Sequence, residues 1–86
     1  MIFWIIIKDG YKNHRLLVEH ISVNNRIERF KVSGKDKYIV LESNRPLFRN
    51  CGIKHRKPDW RLFEGSVNYA GGLLDEVKAS INLLYP

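Results

Sequence analysis

The chain has 86 residues, a formal net charge of +6, 44% hydrophobic residues, four Phe, four Tyr, two Trp and a single cysteine. At this length one domain is expected, burying only about 60–65% of its unfolded surface, so every apolar face has to be used. The aromatic content excludes a disordered chain, and one cysteine excludes an internal disulfide framework, which fits a reducing, cytoplasmic setting.

Residues 2–8 form the first predicted strand. Ile2, Phe3, Trp4, Ile5, Ile6 and Ile7 are β-branched or aromatic and leave both alternation faces apolar, the pattern of a strand covered on both sides. The run is too short for a membrane span or a secretion signal, so no membrane partner is expected. Asp9-Gly10 predicts a turn widened by Tyr11, Lys12 and Asn13, followed by a strand over 14–22 in which neither face is cleanly polar. Asn24-Asn25 marks the next turn. Over 26–33, Phe30 and Val32 alternate with Arg29 and Lys31. Ser33-Gly34-Lys35-Asp36 then reverses the chain into a fourth strand over 37–43, with Ile39 and Leu41 opposed to Tyr38, Val40 and Glu42.

The span from Asn44 to Arg61 holds most of the charge. Arg45, Arg49, Lys54, Arg56, Lys57 and Arg61 face the single acid Asp59, so five of the six net charges lie there. Pro46 and Pro58 fix their own φ and bias Arg45 and Lys57 toward extended backbone, so residues 44–60 read as a stiff basic loop. A fifth strand over 61–67 is weakened by Gly65. From Gly72 to Leu84 the period changes: Leu73, Leu74, Val77, Ile81 and Leu84 fall on one helical stripe, with Asp75 and Glu76 near the positive end of the dipole. The expected fold class is α+β, an antiparallel meander of four to five strands, as an open sheet or small barrel, with one C-terminal amphipathic helix packed on it. Strands first and one helix last is a layout that resembles the small basic chromo-like and SH3-like barrels, which bind DNA with their sheet.

The basic loop carries the functional expectation. Arg45, Arg49, Lys54, Arg56, Lys57 and Arg61 are of the types that contact phosphate oxygens, and Phe48 and Trp60 are interleaved rings on which a base could stack. No recognition-helix, zinc-finger or RNP pattern is present, so readout would be of backbone or shape. The alternative reading is a solvated loop anchored by Leu47, Phe48, Ile53 and Trp60, or one that docks on an acidic protein surface. Cys51 and His55 stand four apart, but a zinc site needs four ligands, so no metal is expected. Cys51, His55 and Asp59 form the one nucleophile, base and acid set within reach along the chain, a remote basis for thiol-dependent catalysis. Without a nucleophile elbow, a Gly-rich phosphate loop or paired carboxylates, neither an enzyme nor a cofactor is expected. Trp4, Leu83 and Tyr85 are apolar positions that could seat a second copy, giving a homodimer.

Overall fold

The computed structural model describes residues 1–9, 11–34, 37–65 and 72–86. Its elements in chain order are β1 Ile2–Asp9, β2 Lys12–Ser22, β3 Glu28–Ser33, β4 Tyr38–Ser43, α1 Arg45–Cys51, β5 Trp60–Glu64 and α2 Gly72–Leu84. The five strands form one antiparallel sheet in the order β1-β2-β3-β4-β5. Three short connections, and a longer one between β4 and β5 that contains α1, each lay the next strand on the free edge of the last, so order in space follows order in sequence. The sheet stays open, with β1 and β5 at its two edges, and the barrel alternative does not hold.

The inner face of the sheet carries the core. Ile5, Ile7, Leu16, Val18, Phe30, Val32, Ile39 and Leu41 form one buried cluster with Val77 and Ile81 of α2. Each fully buried side chain of this kind contributes about 1.5–3 kcal/mol. Leu84, assigned to the same helical stripe from its spacing, is exposed instead, because the helix ends there. The side chain of Leu73 lies outside the described residues. Tyr85 turns inward: its ring stacks on Phe3 at 6.0 Å and on His20 at 4.6 Å, so it is core material and not a docking position.

Two local expectations change, at the first hairpin and at β1, and the turn at Asn24-Asn25 forms as expected. The first hairpin is tight, closing with Asp9 opposite Lys12, so the turn is not widened and Lys12 and Asn13 belong to β2. Asn24 works by hydrogen bonding: its Oδ1 accepts from Arg26 N at 2.8 Å and Ile27 N at 2.9 Å, an Asx turn. Most consequential is β1, which is an edge strand with Ile2, Trp4 and Ile6 exposed on the outer face. An apolar run on both faces needs two covering layers. The described helices supply only α2, which lies against β1 on the inner side.

Strand β5 ends at Glu64, and the expected residues 66 and 67 fall outside the described residues. Gly65 has φ 95°, and a Cβ there would stand 2.8 Å from Tyr38 O and 3.1 Å from the Ile39 Cα. Replacing Gly65 by Ala is therefore expected to cost about 1–3 kcal/mol through left-handed strain and the clash with β4. A thermal melt checks this, and an unchanged Tm would contradict the close approach.

Candidate nucleic-acid interface

The basic segment is not a single extended loop. Residues 45–51 form α1, with Pro46 in its first turn and Gly52 at φ 64° closing its C-terminus. Proline at the start of a helix loses no intrahelical bond, and glycine after its end takes the left-handed conformation without a Cβ penalty. The stretch Asn44-Arg45-Pro46 through Cys51-Gly52 thus carries a helix signature that a reading based on stiffening by proline passes over.

Arg45, expected among the phosphate contacts, is turned into the protein and only 6% exposed. Its Nε and Nη2 donate to the two carboxylate oxygens of Glu28, the second bond at 3.2 Å. Its Nη1 donates to Asn82 Oδ1 at 3.0 Å and to Tyr85 O at 2.8 Å. The guanidinium also lies 5.2 Å from the Phe30 ring centroid and 5.6 Å from that of Trp60. Glu28 shares the inward parity of Phe30 and Val32, so its carboxylate is buried and needs this bidentate partner. His20 Nε2 completes it at 3.0 Å from Oε1, while Nδ1 meets the Tyr85 hydroxyl at 3.3 Å. Since α2 has no basic residue in its last turn, Arg45 is the cation at its negative end.

Phe48 is likewise withdrawn. It is buried, and Arg56 covers its ring at 5.1 Å, so no base can stack on it. Trp60 is half-buried against Phe30, 5.6 Å between centroids. Its remaining surface lines a groove of about 580 Å³ with Lys57, Pro58, Asp75 and Lys78. Arg61 donates from Nε to Glu42 Oε1 at 2.7 Å while its side chain stays exposed.

What stays outside is a cationic end. Arg49, Lys54, Arg56 and Lys57 are all exposed. Beside them in the segment stands the acid Asp59, whose Oδ2 lies 3.7 Å from Arg56. The β2–β3 turn adds a cation that charge counting along the chain could not associate with this segment. Arg26 is exposed, its carbonyl accepts from Leu47 N at 3.3 Å, and Asn50 Nδ2 donates to Asn25 O at 2.6 Å. These bonds fasten the turn to α1.

His55, the base of the expected set, is exposed. Cys51 is exposed, and Asp59 is engaged through its backbone N–H and Oδ2 by Asn44. Among the described residues no group of three His, Cys, Asp or Glu is placed to hold a metal ion. No described helix is long and apolar enough to cross a membrane. Comparison of the chain with protein-family models, curated proteins and solved structures finds no match.

The outer face of the sheet is mixed in character. Arg29 lies 3.7 Å over the Phe63 ring, and Lys31 4.7 Å over Tyr38. Glu42, nearly enclosed there, accepts from Arg29 Nε at 3.0 Å as well as from Arg61. Burial by itself would push this carboxyl up, but the hydrogen bonds from Arg29 and Arg61 outweigh it and hold the group below the usual carboxylate range. A depressed folded value means the ionised carboxylate stabilises the fold above the unfolded value of about 4.3, a contribution lost as pH falls through the folded one. Glu42→Gln is therefore expected to be less stable than the parent at pH 7, with the gap closing below about pH 4. Urea midpoints across that range check it; a gap independent of pH would refute the assignment.

Proposed function

We propose that the chain is a small, non-enzymatic binding domain that contacts nucleic-acid phosphates through its cationic end. The observation that carries this is the gathering of Arg26, Arg49, Lys54, Arg56 and Lys57, all exposed, on one turn and one adjoining segment. Arg45 and Phe48 leave the interface because they hold the fold, and Arg61 is engaged by Glu42. The cations contact backbone phosphates and position the strand, with Trp60 at the groove wall as the stacking surface that remains.

The test is a fluorescence-anisotropy titration against labelled duplex DNA, single-stranded DNA and RNA at several salt concentrations, with a poly-acidic peptide as the competing arm. Three to five phosphate contacts give a log–log salt slope of roughly −2.7 to −4.5 on duplex DNA. No binding at low salt, where the electrostatic contribution is largest, would end this reading. Binding to the peptide alone would transfer the surface to an acidic protein partner, the reading that the Arg56–Asp59 and Arg61–Glu42 pairs favour.

A further inference from the structure

The two edges of the sheet are built differently. β5 is five residues long, carries Arg61 and Glu64, and meets β4 through a register shift at Val40/Leu41. Shortness, charge and irregularity are the devices that keep an edge from pairing with another chain. β1 has none of them between Ile2 and Ile7: no charge, no proline, and an unbroken register with β2. No described residue pairs with its other side.

We infer that β1 pairs with β1 of a second copy, antiparallel about a two-fold axis at Trp4, to give a continuous ten-stranded sheet. The phase of the ladder permits it. His20 N donates to Met1 O, so the odd-numbered residues of β1 bond to β2 and the even-numbered ones direct N–H and C=O outward. Residues directly opposed across an antiparallel seam share a face, so Ile2 meets Ile6 of the second copy and Trp4 meets Trp4. These three side chains are 61%, 64% and 52% exposed for Ile2, Ile6 and Trp4; Ile2 and Ile6 meet apolar against apolar, and each Trp4 ring carries the Arg15 guanidinium of its own chain at 4.7 Å from its centroid.

Charge favours this register over the one centred on Ile5. Ile2 stands beside Glu19 and Ile6 beside Arg15 on β2. With the axis at Trp4, each outer row running through Ile2 and Ile6 has the backbone of Glu19 beside it on one copy and that of Arg15 on the other, with the Arg15 guanidinium leaning over the Trp4 ring. Moving the axis to Ile5 would bring Lys8 opposite Ile2 and draw a charge into the seam. A stable dimer requires roughly 800 Å² per partner. Leu83 of α2, the helix that lies against β1, is a further exposed apolar side chain. The dimer is isologous and closed, which distinguishes it from edge pairing that propagates.

Sedimentation equilibrium of the full chain tests this, with the parent expected at twice the 10.1 kDa of one chain. Trp4→Lys, which sets two ammonium groups against each other at the axis, and Ile6→Glu are each expected to restore the single-chain mass without altering the far-ultraviolet circular dichroism. Both side chains are exposed, so neither change opens the core. In the parent, the amides of Ile2, Trp4 and Ile6 exchange slowly and accelerate on dilution. A single-chain mass for the parent at 100 µM and above would overturn the inference, as would a dimer that survives both variants or fast exchange at those three amides. Nucleic-acid affinity per chain is read in the same samples, and its loss bears on the cationic end alone.

Discussion

Arg45→Ala is expected to lower the free energy of unfolding by about 3–5 kcal/mol, the cost of removing one partner from a buried ion pair. The Glu28 carboxylate is 2% exposed, and without the guanidinium it keeps only His20 among its described charged or hydrogen-bonding partners. Asn82 Oδ1 and Tyr85 O lose their donor at the same time, leaving the negative end of α2 without its cation. A domain of this class holds about 5–15 kcal/mol in total, so the variant should unfold at far lower urea. Arg45→Lys is expected to fall well short of rescue, since one ammonium cannot reproduce a planar fork bonded on three sides. Replacing both Glu28 and Arg45 by Met should cost less than Arg45→Ala, because no buried charge is then left unpaired. A double variant less stable than the single one would show that the network acts through its connections to α2 and not through the ion pair. Phosphate binding per folded molecule should be unchanged in all of them.

Reversing Arg56 and Lys57 together to Glu should have the largest effect on nucleic-acid binding. At 0.1 M salt each phosphate contact contributes about eightfold through counterion release, so two lost contacts weaken binding roughly 60-fold, and repulsion by the new carboxylates adds to this. The log–log salt slope should shrink by about two, uniformly across sequences, since these contacts carry no base readout. Folding should be spared. Both side chains are exposed, and the Arg56–Asp59 pair is a surface pair worth at most about 1 kcal/mol. Unchanged affinity in this double variant would remove the segment from the interface. Unchanged slope with weaker binding would mean that Arg56 and Lys57 shape the surface without touching phosphate.

Much of the architecture is legible in short-range pattern. Alternation in residues 28–33 and 38–43, Asn24-Asn25 between strands, and the change of period after Gly72 are each contained within one element or turn, so they survive being read one window at a time. The same locality explains the errors. Pro46 and Gly52 carry two meanings, a stiff loop or the two ends of a short helix, and only the seven helical residues between them choose. Trp4, Ile2 and Ile6 announce an apolar strand but not which of its faces finds a cover, since that depends on how many layers the rest of the chain supplies.

The amino-acid sequence by itself determined an antiparallel meander with a C-terminal helix and the concentration of positive charge between Asn44 and Arg61, because periodicity and charge are properties of neighbouring residues. Only the tertiary structure decided which of those charges face solvent. No short window records that Arg45 is buried and Arg49 exposed, because the partners of Arg45, Glu28, Asn82 and Tyr85, stand 17, 37 and 40 positions away. Arg26 joins the cationic end for the same reason, brought there by hydrogen bonds between the β2–β3 turn and α1. A guanidinium enters the interior where a carboxylate, an amide oxygen and a free carbonyl already converge, and that convergence exists only once the strands and α2 have packed.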